Sequence, residues 1–409
     1  MSETWYGIVP SHWTSVRFKD FLNLVTERST SLTKVGLENI ESGSGRFIHT
    51  DSVFEGNGIA FKKNDLLYGK LRPYLQKVYD AEFDGNAVGD IFVFRCLKNS
   101  YHVFVKYLLL SDYFTSIVNS MTAGAKMPRV SSAFILGLPF CLPPINEQYA
   151  IGDFLEQKSN KINKNIQLLE QKKEYYLRLK DSLINRIVCL GLDPNAKTKD
   201  SGLEWIGYIP SHWEIMRIKD IGKLKLGKML TSKYQNGLHL RKYLKARNIG
   251  WGKVILDNLD EMFFTDSELN DLKLKKGDLL FTEGGEVGKT SIWNEEFADC
   301  YIQNSVQKLT VNKDQHSKYF LYLSMVYGYK KYYDSIVNLV SIKHLTNEKL
   351  RAIKVIVPPF EEQVAIANYL DEKCSKIDTI IEKISQEIEL LDKLKKSLIN
   401  EVITGKRTV

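Results

Sequence analysis

Apolar residues recur every seven positions toward the C-terminus of the chain, in the series Ile377, Ile384, Leu391 and Leu398. Further apolar residues lie four positions after members of this series, and Lys395 interrupts them. An average spacing of 3.5 residues predicts a long helix that pairs with another helix in a left-handed coiled coil.

The same spacing occurs in the middle of the chain, in the series Ile162, Leu169, Tyr176 and Leu183. We therefore expect two long amphipathic helices, over residues 144–190 and 359–405. Periodicity alone also fits a core helix or a zipper between two copies of the chain. Two such helices in one chain can supply each other's partner, which favours pairing within the molecule.

The remaining sequence mixes strand and helix patterns. Short apolar runs bounded by Gly and Asn, such as residues 91–94 and 254–256, predict strands. Residues 103–119 and 319–338 place apolar side chains at helical spacing and predict helices. Each half of the chain should therefore hold an α+β globular region of about 140 residues.

The two halves repeat each other. Residues 5–20 and 205–220 share nine identities in sixteen positions, including a common Pro-Ser-His-Trp segment. Residues 61–68 return as residues 274–281, and the Pro-Pro-x-x-Glu-Gln segment that ends at Gln148 returns at an offset of 215. Because the order of these segments is the same in both halves, the chain is one duplicated unit.

This duplication predicts an α+β fold of two globular domains and two long helices. The domains span residues 1–143 and 205–358, and the long helices span residues 144–190 and 359–405. Residues 191–204 form the linker between the halves, since their Gly, Pro, Asn and Asp content ends a helix and starts a new module.

Composition limits the functional classes without selecting one. The chain has 409 residues and carries 57 Lys and Arg against 49 Asp and Glu, a formal net charge of +8 that is compatible with a polyanionic partner. Its five Cys are scattered singly, so we expect neither a zinc site nor disulfides, and a reducing cytoplasmic location. The N-terminus lacks a charged leader, and the chain has no apolar run of about 18 residues. We therefore expect neither secretion nor a membrane-spanning segment.

No catalytic or metal site is predicted. Residues 284–290 end like a phosphate-binding loop but lack its first glycine. His12 and His212 occur in duplicate without an identifiable Ser, Cys or carboxylate partner, which favours a structural role over catalysis. We therefore expect a chain that is not an enzyme and binds no cofactor.

Two basic loops in the first half are candidates for contacts to DNA. Residues 68–74 follow a predicted strand and present Lys70, Arg72 and Tyr74, and residues 125–129 present Lys126 and Arg129. Arg and Lys pair with guanine edges or with phosphates, which makes both loops candidate recognition elements. Each loop could equally be plain solvated surface.

The second half contributes a different set of candidates, which consists of Arg241, Lys245, Arg247, Lys289, Lys343 and His344. The loops that follow Tyr68 and Phe281 differ in length and charge, although the segments around them are retained. Different loops on one scaffold predict that the two halves read two unlike half-sites.

From the residues alone, two other classes of protein stay open. One is an enzyme, a methyltransferase or a nuclease, with a site that the sequence does not reveal. The other is a scaffold that uses its coiled coil and ignores DNA. Steep salt dependence of DNA affinity would separate a DNA-binding protein from the scaffold.

Together, these motifs resemble the specificity subunit of type I restriction-modification systems, and the resemblance covers the entire chain. The residues that carry it are the Trp-Ile-Gly-x-Ile-Pro segment at 205–213, matched more loosely at 5–13, and the two Pro-Pro-x-x-Glu-Gln segments. The helix end at 396–406 and the linker start at 191–194 add to it. The first half departs from this pattern, because its helix ends at 182–189 without the Thr-Gly-Lys of residues 404–406.

The resemblance implies that residues 1–143 and 205–358 are target recognition domains and that the long helices form an antiparallel coiled coil. It further implies docking of two modification subunits, which bind S-adenosylmethionine and methylate adenine. Restriction subunits, which use ATP and Mg to translocate and cut DNA, would complete the assembly. Double-stranded DNA is the implied ligand, and no membrane is involved.

Overall fold

The computed structural model of the chain describes all residues except 1, 5, 6, 30–32, 53, 55, 123–126, 233–236 and 338–342. The chain forms two compact units. Unit 1 comprises residues 1–171 and 384–409, and unit 2 comprises residues 172–383. Each unit therefore contains one globular region and a segment of each long helix.

The strands of unit 1 are β1 Ser2–Thr4, β2 Gly7–Val9, β3 Thr14–Arg17, β4 Leu22–Val25, β5 Arg28–Ser29, β6 Lys34–Val35, β7 Gly58–Phe61, β8 Leu66–Gly69, β9 Val78–Asp80, β10 Gly85–Ala87, β11 Ile91–Cys96 and β12 Pro139–Leu142. Its helices are α1 His102–Leu110, α2 Asp112–Ser120, α3 Ser132–Gly137 and the first part of α4 Ile145–Leu190.

The strands of unit 2 are β13 Thr198–Asp200, β14 Tyr208–Pro210, β15 Glu214–Arg217, β16 Gly222–Leu226, β17 His239–Leu244, β18 Asp260–Phe264, β19 Leu279–Thr282, β20 Thr290–Ile292, β21 Tyr301–Ile302, β22 Val306–Val311 and β23 Lys354–Val357. Its helices are α5 Ile218–Ile221, α6 Asp266–Leu272, α7 Ser317–Tyr329, α8 Tyr332–Ile336, α9 Asn347–Ala352 and the first part of α10 Phe360–Ile403.

The sheets repeat between the units, as the duplicated sequence predicts. Unit 1 contains an antiparallel sheet in the order β4-β11-β8-β9, and unit 2 contains its counterpart in the order β16-β22-β19-β20. In the same way, β3 pairs with β12 and β15 pairs with β23. The segments shared by the two halves of the sequence therefore build the same framework twice.

Two of the predicted helices are interrupted. The helix predicted over 103–119 is split into α1 and α2, because the Ser111 hydroxyl donates to Leu108 O and accepts from Phe114 N, which caps a new helix. The helix predicted over 319–338 is split at Lys331, which has a left-handed φ of +54°, and residue 338 lies outside the described residues. Apolar periodicity continues across both breaks and so does not reveal them.

One predicted strand is absent from the region where it was expected. Residues 254–256 form no strand, and Val254 makes only an isolated bridge to Ile249. The backbone forms a tight turn here, since Gly250 N donates to Lys253 O. A short apolar run does not distinguish such a turn from a strand.

Of the predicted heptad series, Ile377, Ile384 and Leu398 of α10 are buried, whereas Leu391 and the four series residues of α4 are partly exposed. In unit 1, Leu398 and Val402 of α10 share a core with Ile151 and Leu155 of α4. In unit 2, Ile184 of α4 belongs to one core with residues 366–374 of α10. Within each unit the two segments run antiparallel, since later positions of α4 meet earlier positions of α10.

The Pro-Ser-His-Trp segments hold the starts of the long helices. In unit 1, His12 Nε2 lies 2.8 Å from a Glu147 carboxylate oxygen, and Trp13 Nε1 donates to the other oxygen at 3.1 Å. In unit 2, His212 and Trp213 make the same contacts to Glu362, at 2.7 and 2.9 Å. Both histidines therefore have a carboxylate partner that the sequence did not identify, and the pair is structural.

Within the part of the chain that the structure describes, no helix is long and apolar enough to cross a membrane.

Candidate nucleic-acid interface

Unit 1 brings its two candidate loops together. Lys70 and Arg72 follow β8, and Arg129 lies 59 residues beyond Lys70 in the chain. Leu71 forms a bridge with Arg129, Val130 N donates to Lys70 O at 3.1 Å, and Arg72 N donates to Pro128 O at 2.8 Å. Residues 70–74 and 127–130 therefore form one surface, which we call loop pair 1.

Two of the cations in loop pair 1 share one carboxylate. Asp90 lies 2.9 Å from Arg129 Nη2 and 3.6 Å from Lys70 Nζ. The hydrogen bond from Arg129 lowers the pKa of Asp90, with a further contribution from Lys70. Lys70 also lies 5.5 Å from the centre of the Phe92 ring. Both side chains are therefore positioned by contacts within the unit.

Arg72 differs from these neighbours. Its backbone has a left-handed φ of +49°, and Pro73 follows it at the start of a short 3₁₀ turn. Its side chain is exposed and makes no ion pair with any described residue. Tyr74, two positions on, is also exposed. Loop pair 1 thus presents one unneutralised cation and one aromatic ring to the solvent.

Lys126, another candidate in this loop, lies outside the described residues. Its neighbour Met127 is exposed.

Unit 2 repeats the same loop framework. Glu283 N donates to Ser305 O at 2.9 Å, as Lys70 N does to Asp90 O, and Leu345 N donates to Glu283 O at 2.7 Å. Gly284 forms a bridge with His344, as Leu71 does with Arg129. Residues 282–289 and 343–345 form this surface, which we call loop pair 2.

The two loop pairs differ in charge at three equivalent positions of this framework. Lys70 is replaced by Glu283, Asp90 by Ser305, and Arg129 by His344. Burial raises the pKa of Glu283, and the charge of His344 acts in the opposite direction. At these three positions, one framework therefore carries two cations and a carboxylate in unit 1, and a carboxylate, a hydroxyl and an imidazole in unit 2.

The candidate lysines of loop pair 2 have acidic partners. Lys289 Nζ lies 2.5 Å from Glu286, and Lys343 Nζ lies 2.5 Å from Asp334. His344 is exposed. Unlike Arg72 in loop pair 1, both lysines are neutralised within unit 2.

The structure connects Lys245 and Arg247 to loop pair 2. Both contact the carboxylate of Asp260, and Ala246 N between them donates to Ser305 Oγ at 2.9 Å. Ser305 also accepts from Glu283 through its carbonyl oxygen. These two cations therefore lie beside loop pair 2.

Arg241 lies apart from these residues. It is in β17 opposite Met262 of β18, and its guanidinium donates to Leu240 O at 2.9 Å. The pKa of Asp299 is lowered mainly by Lys273, and the charge of Arg241 contributes to this lowering. No contact among the described residues joins Arg241 to loop pair 2.

Sequence reasoning missed three polar residues of this surface, which are Gln303, Asn304 and Ser305. They connect β21 to β22 and are partly exposed. Their counterparts in unit 1 are Val88, Gly89 and Asp90, at the offset of 215 found elsewhere in the repeat. Comparing the halves at this offset would have revealed the difference, but a search for charge does not find amides.

The long helices also expose apolar side chains on their outer faces. In unit 2, Tyr175 and Leu179 of α4 are 63% and 40% exposed, and in unit 1, Leu390 and Leu394 of α10 are 65% and 55% exposed. These pairs correspond at the offset of 215. Since i and i+4 lie on one helix face, each pair forms a small apolar patch.

Comparisons with known proteins agree with the fold. The family model for the type I restriction modification DNA specificity domain matches residues 10–171 and 210–390. The MjaVIII specificity subunit of Methanocaldococcus jannaschii is 26% identical, over 97% of this chain and 93% of the relative. The EcoKI specificity subunit of Escherichia coli is 21% identical, over 77% of this chain and 68% of the relative.

Solved structures have the same fold at low sequence identity. A chain from a study of complex assembly in a type I restriction-modification system superposes with a TM-score of 0.77 at 16% identity, over 98% of this chain and all of that chain. The HsdS subunit from Thermoanaerobacter tengcongensis gives a TM-score of 0.56 at 16% identity, over 98% of both chains. Because the family model matches most of both halves, the chain belongs to the type I restriction-modification DNA specificity family.

Proposed function

We propose that the chain reads a bipartite, asymmetric DNA site, with one half-site bound by each unit. The observation that carries this proposal is the repeated loop framework with different residues at its equivalent positions. A symmetric recognition protein would carry the same side chains twice, whereas Lys70, Asp90 and Arg129 become Glu283, Ser305 and His344. Residues 1–143 and 205–358 act as the two target recognition domains, joined by the linker 191–204.

The candidate residues divide by role in this proposal. Lys70 and Arg129, already held by Asp90, suit phosphate contacts that position the domain on DNA. Arg72 and Tyr74 are free to approach base edges. In unit 2, Lys245 and Arg247 suit contacts to DNA phosphates. His344 forms a bridge with Gly284 in the diverged loop 282–289, and we assign it to reading of the base sequence. Lys126, Arg241, Lys289 and Lys343 remain candidate DNA contacts by residue type alone.

The partners follow from family membership and from the exposed helix faces. Two modification subunits dock on residues 144–190 and 359–405, and the patches at Tyr175/Leu179 and Leu390/Leu394 give each a similar apolar contact. Those subunits bind S-adenosylmethionine and methylate adenine bases that are flipped out of the DNA duplex. Restriction subunits with ATP and Mg cut the DNA. The chain itself directs these reactions from the cytoplasm and catalyses none.

Methylome sequencing tests this function directly. The host expresses the modification partner with the chain, without the chain, or with the Arg72→Ala variant. We expect an adenine-methylated, split motif that disappears without the chain and is relaxed in one half-site by the variant. Methylation that persists without the chain would contradict the proposal and favour the scaffold. Methylation by the purified chain alone would make it an enzyme.

A further inference from the structure

Asn304 lies at the end of a side-chain network that is centred on Gln303 and whose members are not retained in unit 1. Gln303 Oε1 accepts hydrogen bonds from Ser305 N at 3.1 Å and from Ser305 Oγ at 2.5 Å. Gln303 Nε2 in turn donates to Asn304 Oδ1. The network therefore orients the Asn304 amide through two neighbouring side chains.

The backbone around Asn304 is also fixed on both sides. Asn304 N donates to Lys228 O at 2.8 Å, Gln303 N donates to Leu244 O at 2.9 Å, and Val306 N donates to Gln303 O at 2.8 Å. The segment is thus tied to the end of β17 and to the segment after β16. A side chain held in this way loses little conformational entropy when it binds a ligand.

The network leaves Asn304 with unused hydrogen-bonding capacity. Both lone pairs of Gln303 Oε1 are occupied by Ser305. Asn304 Oδ1 has accepted one of its two possible hydrogen bonds, and its Nδ2 donates to no described residue. Both N–H donors of Nδ2 and one acceptor position on Oδ1 therefore remain on a partly exposed amide.

A free amide donor beside a free acceptor matches the edge of adenine in the major groove. Adenine presents N7 as an acceptor and N6 as a donor, and Asn pairs with both. We propose that Asn304 reads an adenine in the half-site bound by unit 2, with Gln303 and Ser305 as positioning residues. This inference rests on the proposed function and names the base that this site selects.

The surrounding charge favours a base over a phosphate at this position. Glu283 lies beside the network, since its backbone N–H donates to Ser305 O. A carboxylate repels phosphate oxygens, so a phosphate here would cost Coulomb energy. Lys245 and Arg247 flank Ala246, whose backbone N–H donates to Ser305 Oγ, and these cations suit contacts to the DNA phosphates.

Unit 1 cannot read adenine in the same way. The equivalents of Gln303 and Asn304 are Val88 and Gly89, neither of which has a side-chain amide. Loop pair 1 instead presents the guanidinium of Arg72, a group that pairs with guanine. The two half-sites should therefore differ in the base read at this loop.

The test compares methylomes of hosts that express the modification partner with wild-type chain, Asn304→Ala or Asn304→Asp. Aspartate keeps the Oδ1 acceptor for Gln303 but lacks the amide donor. We expect both variants to lose discrimination at one A·T pair of one half-site, about tenfold or more in relative methylation. Asn304→Asp should also shift that position toward C·G, since a carboxylate accepts from cytosine N4.

Two further variants make the result specific. Arg72→Ala should relax the other half-site and leave the Asn304 position intact. Gln303→Glu keeps the acceptor for Ser305 but removes the donor that orients Asn304, so it should weaken discrimination at the same A·T pair. This second variant tests the network even if Asn304→Ala destabilises the chain, and thermal unfolding of each purified complex reports its stability.

The outcomes separate this inference from the proposed function. An unchanged motif in a folded Asn304→Ala complex overturns the inference. A uniform drop in methylation at every site, with the motif unchanged, also overturns it, because that is the signature of a phosphate contact. If the wild-type chain directs no sequence-specific methylation at all, the proposed function itself fails.

Discussion

A lysine occupies the heptad seam in both units, but its partner differs. In unit 2, Lys180 Nζ lies 2.6 Å from the Asp378 carboxylate, and in unit 1 the equivalent Lys395 Nζ lies 3.0 Å from the Asn163 amide oxygen. Lys395 is only 7% exposed. Burial lowers the pKa of Lys395, and the more distant Asp392 and Glu41 only partly oppose this. The Asp392 carboxylate lies 4.0 Å from this buried ammonium, so unit 1 has a much longer ion pair here than unit 2 has between Lys180 and Asp378.

Replacing the amide should stabilise unit 1. We expect Asn163→Asp to raise the free energy of unfolding by about 1 kcal/mol at neutral pH, because it gives Lys395 a carboxylate partner closer than Asp392. The reciprocal Asp378→Asn should lower stability by a similar amount. Chemical denaturation of both variants measures these changes. A loss of stability in Asn163→Asp would mean that desolvation of the new carboxylate outweighs the attraction.

Glu283 gives a pH-dependent prediction. Burial raises its pKa above the ordinary value of 4.5, so the folded protein holds this proton more tightly than the unfolded chain does. This stabilising contribution is full below pH 4.5 and is lost as the pH rises through the folded pKa. Glu283→Gln should therefore gain stability relative to wild type across that window.

Glu286 on the same loop is the matched control. The hydrogen bond from Lys289 lowers its pKa, so its contribution to stability is present above the ordinary value and is lost as the pH falls. Glu286→Gln should thus lose stability relative to wild type at neutral pH. Unfolding midpoints from pH 3 to 8 measure both differences. Parallel pH profiles for the two variants would contradict the argument.

At the scale of elements, each long helix starts at a carboxylate that holds a tryptophan. Trp213 is completely buried, and its Nε1 donates to Glu362 in the first turn of α10. A carboxylate at this position also faces the positive end of the helix dipole. The contact therefore joins the globular part of unit 2 to its long helix.

Removing this carboxylate should destabilise unit 2. We expect Glu362→Ala to cost about 1–3 kcal/mol, because the buried indole N–H loses its acceptor. Glu361→Ala, the exposed neighbour in the same helical turn, serves as the control and should change stability by less than about 0.5 kcal/mol. Equal effects of the two variants in thermal unfolding would assign the stabilisation to the helix dipole alone.

The sequence predicted the elements better than it predicted the surface. The long helices expected over 144–190 and 359–405 are observed at Ile145–Leu190 and Phe360–Ile403, because heptad spacing directly reports the buried face. The break at Ser111 depends on one hydroxyl and leaves the apolar pattern unchanged. The sequence likewise does not show which cations form ion pairs, because Lys70 and Asp90 are far apart in the chain and come into contact only in the folded structure.

At the scale of the whole molecule, one register rule relates the long helices. Lys180 lies as many positions after Asn163 in α4 as its partner Asp378 lies before Lys395 in α10, so both pairs belong to one antiparallel register. Because the register is the same in both units, inserting equal numbers of residues at paired positions of α4 and α10 preserves the pairing of the two helices. In our proposal the paired helices determine the spacing between the two half-sites.

Lengthening both helices together tests this spacing. Three extra heptads in each, copied from residues 165–171 and 387–393, add about 32 Å, since a helix rises about 1.5 Å per residue. This length approaches one turn of DNA, about 34–36 Å, so a second half-site moved by this distance lies on nearly the same side of the duplex as before. We expect methylome sequencing to return the same half-sites with a spacer longer by about nine base pairs.

A single matched heptad provides the discriminating comparison. It adds about 10 Å, which corresponds to about three base pairs and roughly a third of a DNA turn. The second half-site would then face a different side of the duplex, so methylation should fall sharply instead of moving to a new spacer. An unchanged spacer in the three-heptad chain would show that the helices join the units without measuring the DNA between them.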